Sequence, residues 1–218
     1  TFNFTEEERK TLWNYAANSS RAYVRFYLKT IIGENVFYYK SSDKVMTITN
    51  CYPLLAPTAI DTSERAIELT GNANTIIKGY NSVKVTANAT ARKGATIQSY
   101  LITNGANSVA AAEGYFNYAE SPYFTIKVTD SRYIDETKTI ELPTINYIKL
   151  TCNLIADIEV TGGTSAKITL DIGGNYFSGN FGVADNSLIV KYRYKTNSGE
   201  YGEWLTADGA TINNNKYS

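Results

Sequence analysis

Apolar and polar side chains alternate with a period of two through most of this 218-residue chain, the signature of strands with one buried face. The exception stands near the start. Thr5 is followed three residues later by Glu8, the spacing at which an N-cap side chain and the N3 side chain satisfy each other's backbone amides. Glu6, Glu7 and Glu8 add negative charge at the positive end of the helix dipole. A helix is predicted from here to about Asn18, with Leu12, Trp13 and Ala16 as the stripe that lies on a sheet. Over residues 22–29 the period becomes two, so that Val24, Phe26 and Leu28 share a predicted buried face and Tyr23, Arg25, Tyr27 and Lys29 a wet one. A turn through residues 33–35 leads to strands at 36–39 and 44–49.

Two of the chain's four prolines, Pro53 and Pro57, fall within five residues, and proline cannot donate to a strand ladder. A domain boundary is therefore expected here. About seven short strands follow, including 82–89, 96–102, 107–111, 115–119, 123–129 and 137–142, with no helix predicted between them. In the first of these Val83, Val85 and Ala87 oppose Lys84, Thr86 and Asn88. Strands at this spacing describe a sandwich. Residues 143–147 read as a second linker, and strands are predicted at 167–172, 187–195 and 203–206, with Val190, Tyr192 and Tyr194 alternating against Lys191, Arg193 and Lys195. This last unit holds only about 70 residues, short for a complete sandwich, so it is expected to be cut off or completed by another chain. The expected division is a helix plus β unit over 1–52, a sandwich over 53–147 and a second over 148–218. The opening TFNFTEEERK lacks an initiator Met, and the chain is read as a piece of a longer protein.

Charge and composition narrow the chemistry. Lys and Arg total 21 against 21 Asp and Glu, and a neutral balance argues against a phosphate-tracking groove, so no nucleic-acid partner is expected. No His is present, which rules out Ser-His-Asp and Cys-His hydrolytic arrangements and histidine zinc sites. No stretch has the length and apolarity of a spanning helix, so membrane insertion is not expected. Cys51 and Cys152 stand beside the two linkers and are expected to be free, semi-buried thiols.

Without histidine, paired carboxylates remain the route to glycoside hydrolysis, and Asp157 with Glu159 is a better pair than Asp135 with Glu136, because i and i+2 share a strand face. Solvated surface acids are the competing reading, and no catalytic residue is assigned. Asp130-Ser131-Arg132 reads as an Asp that binds its own turn backbone, with Arg132 pairing nearby. No Asp-x-Asp-x-Asp-Gly run offers a calcium loop, and neither a metal nor a cofactor is predicted. Tyr176, Phe177 and Phe181 lie among Gly and Asn, and Tyr201 and Trp204 follow in Gly-Glu-Tyr-Gly-Glu-Trp. These five rings are the candidate ligand-binding residues: aromatic faces beside amides stack on sugar rings. The alternative is that they cover a sandwich edge or bury against a neighbouring subunit.

Three segments carry a resemblance. The run from Ile77 through Gly79-Tyr80-Asn81 to Thr86, then Arg92-Lys93-Gly94-Ala95-Thr96, then Val128-Thr129-Asp130-Ser131-Arg132, resembles immunoglobulin-like modules in tail and baseplate proteins of long-tailed phages of Gram-positive bacteria. Asn175-Tyr176-Phe177-Ser178-Gly179-Asn180-Phe181-Gly182 before Leu188-Ile189-Val190-Lys191-Tyr192-Arg193-Tyr194 is similar to the module that follows in those proteins. Modules of this kind often carry Gly after the Asp-Ser-Arg triplet, where this chain has Tyr133. The resemblance implies an all-β chain of tandem immunoglobulin-like or fibronectin-like sandwiches with one short N-terminal helix. It further implies a non-enzymatic virion component that acts outside the cell at the host surface, with other tail proteins or further copies of itself as partners. A carbohydrate-binding adhesin module that recognises bacterial surface polysaccharide is the second expectation, and a cell-wall glycosidase the third.

Overall fold

The computed structural model describes residues 3–163, 165–195, 197–207, 211–213 and 216–217. It is an all-β fold with two short helices. The first helix, α1 (Glu6–Tyr15), begins as the spacing predicts: the Thr5 hydroxyl accepts from the Glu8 amide at 3.3 Å and the Glu8 carboxylate accepts from the Thr5 amide at 2.8 Å. It stops three residues earlier than expected, with Ala16 as its cap. Ala16 is buried and Leu12 and Trp13 are half-buried, so the stripe does face protein.

Four strands follow, β1 (Arg21–Val24), β2 (Tyr27–Ile32), β3 (Asn35–Lys40) and β4 (Lys44–Thr47). The expected single strand over 22–29 is divided. Its first half pairs with β4, Ala22 opposite Met46, and its second with β3, Leu28 opposite Tyr39. Between the halves Arg25 Nε holds Asp43 at 2.6 Å and the Phe26 amide donates to the Ser41 hydroxyl, so side-chain bonds replace the ladder there. The expected buried face is not present: Leu28 is 62% exposed, and every residue of β2 and β3 is open to solvent. A two-stranded ribbon has no second layer to cover either face.

Residues 54–145 have that second layer. In order along the chain they form β5 (Leu54–Leu55), β6 (Thr58–Asp61), α2 (Glu64–Thr70), β7 (Ile76–Ile77), β8 (Ser82–Thr86) and β9 (Ala89–Thr90). The remainder are β10 (Ile97–Asn104), β11 (Asn107–Val109), β12 (Glu113–Asn117), β13 (Tyr123–Asp130), β14 (Asp135–Glu141) and β15 (Thr144–Ile145). One antiparallel sheet has the order β11-β10-β13-β14 and the other β12-β8-β6. Val83, Val85 and Phe116 of the smaller sheet meet Ile102, Phe124, Ile126 and Val128 of the larger in one cluster. Phe116 and Phe124 touch edge to face at 5.7 Å. Each such side chain contributes about 1.5–3 kcal/mol by leaving water, which makes this cluster the main source of stability. The helix α2 was not expected. Its signal was nevertheless present, since Ser63 accepts from the Ala66 amide at the N-cap and Gly71 closes the helix at φ +67°.

The last unit is more open. Strands β16 (Asn153–Gly162) and β17 (Ser165–Asn175) form a long hairpin, followed by β18 (Lys191–Tyr192), β19 (Leu205–Thr206), β20 (Ile212–Asn213) and β21 (Lys216–Tyr217). The hairpin extends to a sheet of order β16-β17-β21-β20, while β18 and β19 pair separately. Of the strand expected over 187–195 only Lys191–Tyr192 forms, and β16 carries Asp157 and Glu159, the pair that the i, i+2 argument sets on one strand face. Among the described residues no helix is long and apolar enough to cross a membrane.

Candidate functional site

The five candidate rings divide into two groups. Tyr176 and Phe181 are buried and Phe177 is half-buried, because this segment folds back on the sandwich. Phe181 joins Ala66 of α2 and Ile77 of β7 in a second apolar cluster, with Leu69, Tyr147 and Phe177 packed around it. Ring centroids lie 4.9 Å apart for Phe177 and Phe181, 5.8 Å for Tyr147 and Phe177 and 5.9 Å for Tyr147 and Phe181. The Tyr176 hydroxyl donates to the Asn186 carbonyl at 2.7 Å, and burial raises its pKa above the usual phenol value. A Cβ on Gly182 would meet the Thr70 carbonyl oxygen at 2.5 Å, so only glycine lets the segment approach the end of α2 this closely. Phe177 and Phe181 therefore make a junction between the sandwich and the last unit, while Tyr176 is buried with its hydroxyl on Asn186.

Tyr201 and Trp204 are exposed and face a different wall. The Arg193 guanidinium lies 4.5 Å from both ring centroids, and Lys195 Nζ lies 5.0 Å from Tyr201. Cation–π attraction of this kind holds the two rings in fixed orientation. They line an open groove of about 530 Å³ whose apolar wall includes Leu150, Leu154 and Ile172 and whose charged lining residues are Lys191 and Arg193. Sequence alternation placed Arg193 on a wet strand face and missed this stacking, which depends on the pairing of β18 with β19, Tyr192 opposite Leu205.

The Asp130-Ser131-Arg132 triplet joins the first unit to the sandwich. Asp130 Oδ1 accepts from the Arg132 amide at 2.9 Å and the Ile134 amide at 3.0 Å, as an Asp capping its own turn should. The Arg132 side chain is fully buried. Its guanidinium donates to the carbonyls of Ala16 at 2.8 Å, Arg92 at 3.0 Å, Ser19 at 3.2 Å and Trp13 at 3.4 Å, and to that of Lys93. The Ser131 hydroxyl donates to the Ala17 carbonyl at 2.6 Å. Asp130 Oδ2 has no hydrogen bond and lies 3.9 Å from Arg132 Nη1, so the backbone carbonyls, more than the carboxylate, hold the arginine. The turn takes Tyr133 through φ +61° with its ring 76% exposed.

The candidate acids do not converge on a cleft. Asp157 and Glu159 are exposed on β16, and Asp135 is tied at 2.6 Å both to Lys127 Nζ and to the Thr129 hydroxyl, which hold its carboxyl below the usual range. Among the described residues no cluster of three or more His, Cys, Asp or Glu could hold a metal ion. Both cysteines are free, Cys51 buried and Cys152 exposed. Compared with known proteins, the chain matches no family profile, no curated protein and no solved structure.

Proposed function

We propose that this chain is a non-catalytic structural component of a phage tail or baseplate, which assembles with tail proteins and supports a host-recognition surface outside the cell. The resemblance of residues 77–86, 91–97, 128–132 and 175–194 to tail modules supplies the setting. One structural observation carries the assembly part. The β2–β3 ribbon exposes eight large apolar side chains, among them Leu28, Ile31, Ile32, Phe37, Tyr38 and Tyr39, on both of its faces. Patches of that size mark surfaces that meet other macromolecules. The Arg132 bolt and the Phe181 cluster suit the same task, because they fix neighbouring units to the sandwich as a support requires.

The reading is tested on particles and on the gene. Antibody against the chain should label tail tips, and flanking reading frames should encode tail components. Unlabelled particles together with unrelated neighbours would reject it. A second reading, a module that binds bacterial surface polysaccharide, is favoured by the open groove beside Tyr201 and Trp204. Titration with cell-wall polysaccharide decides it: Trp204→Ala should abolish binding at an unchanged thermal midpoint.

A further inference from the structure

Several strand edges have no ladder partner among the described residues, and two of them, on β2 in the first unit and on β16 in the last, are long and apolar. The ribbon β2–β3 is a two-stranded sheet with both outer edges open, and β16 ends its sheet with only β17 beside it. Long apolar edges of this kind are templates for adding another strand. On β16, Leu154, Ile155, Ile158 and Val160 are each more than half exposed, as are Tyr27, Leu28, Ile31 and Ile32 on β2. The chain exposes 15161 Å², about half as much again as the roughly 10,000 Å² of a compact monomer of this mass.

Charge and register identify the occupant. Lys29 is the cation of β2, and Asp157 and Glu159 are the anions of β16; none of the three has an ion-pair partner among the described residues. Laid antiparallel with Lys29 opposite Asp157, the two strands also place Leu28 opposite Ile158, Ile31 opposite Ile155 and Ile32 opposite Leu154. Shifting the register by two to set Lys29 against Glu159 puts Ile31 against Asp157, and the parallel arrangement puts Ile31 against Glu159. Of these three arrangements the first alone sets Lys29 against an acid while pairing Leu28, Ile31 and Ile32 with apolar residues, with Tyr27 falling opposite Glu159.

We propose that β2 of one copy adds antiparallel to the free edge of β16 of the next copy, with Lys29 facing Asp157. This deepens the assembly reading above by naming a second copy of this chain as a partner. Because the two surfaces differ, the contact is head to tail and propagates into a ring or a filament.

Sedimentation of the full chain across a wide concentration range tests it. Mass should grow past twice the monomer. Lys29→Glu or Asp157→Lys alone should weaken association by about fivefold, and the two together should restore it. Ile31→Glu blocks one end and Ile155→Glu the other, so each variant alone should be monomeric and an equal mixture should stop at the dimer. Both positions are exposed, and unchanged thermal midpoints will confirm that the variants fold. A chain that stays monomeric, a wild type that stops at a dimer, or a charge swap that fails to restore growth overturns the proposal. Any of these leaves the tail reading standing, since that is judged on particles and flanking genes.

Discussion

The ribbon β2–β3 and the strand pair β10–β13 carry the same twofold alternation and meet opposite fates. In β13 every second residue is buried: Phe124, Ile126 and Val128 turn inward against the smaller sheet, and Asp130 caps the turn that follows. In β2 and β3 every residue is exposed, although Leu28, Ile31 and Phe37 are as apolar as the residues of the sandwich core. Alternation therefore encodes a strand that is able to bury one face; a second sheet must exist before it does so. The sandwich carries its own second sheet within residues 54–145, and the ribbon has none in this chain.

Substitutions in the two regions should separate them most clearly. Phe124→Ala should cost about 3–5 kcal/mol in a denaturant titration, because it opens a cavity in a close-packed core. Phe37→Ala in the dilute monomer should change stability by no more than about 0.5 kcal/mol, the usual figure for an exposed site. Equal effects would mean that the ribbon is covered after all.

The next largest effect belongs to the bolt between the two regions. Arg132→Ala strips donors from five backbone carbonyls and leaves Asp130 with an uncompensated charge, a loss of about 3 kcal/mol. It should be felt as detachment. Limited proteolysis should cut within residues 16–50 while the amides of β10 and β13 keep their protection from exchange. Tyr133→Gly should act in the opposite sense and stabilise by about 1 kcal/mol, since φ +61° costs a tyrosine what glycine does not lose and the exposed ring gives up little packing. The smallest effect is electrostatic. Lys127 and then Thr129 hold the Asp135 carboxyl below its usual range, so the contribution is full above the ordinary carboxylate pKa and disappears as pH falls through the lower folded value. Asp135→Asn should lower stability slightly at neutral pH, leave it unchanged at the acid end, and so flatten the acid limb of the stability curve.

Legibility in the sequence followed the same division. The Thr5–Glu8 cap, the larger sheet from β10 to β14 and the Asp130 turn were readable because each rests on local spacing or on a period that tertiary packing reinforces. The divided strand at Arg25–Phe26 was not, because it depends on contacts to Asp43 and Ser41 eighteen and fifteen residues away. Tyr176, Phe177 and Phe181 looked identical in kind to Tyr201 and Trp204, yet Phe177 and Phe181 pack on α2 and β7, elements about a hundred residues earlier. No periodicity reports that distance. The helix α2 is the reverse case, a local signal between Ser63 and Gly71 that the surrounding strand pattern obscured.

Amide hydrogen exchange, followed at low and high protein concentration, probes the division most directly. The strands of the sandwich should be protected at both concentrations, whereas residues 27–32 and 154–160 should exchange quickly in dilute solution and gain protection together as concentration rises. Ribbon and sandwich amides equally protected in the dilute monomer would contradict it, because the ribbon would then be covered by its own chain.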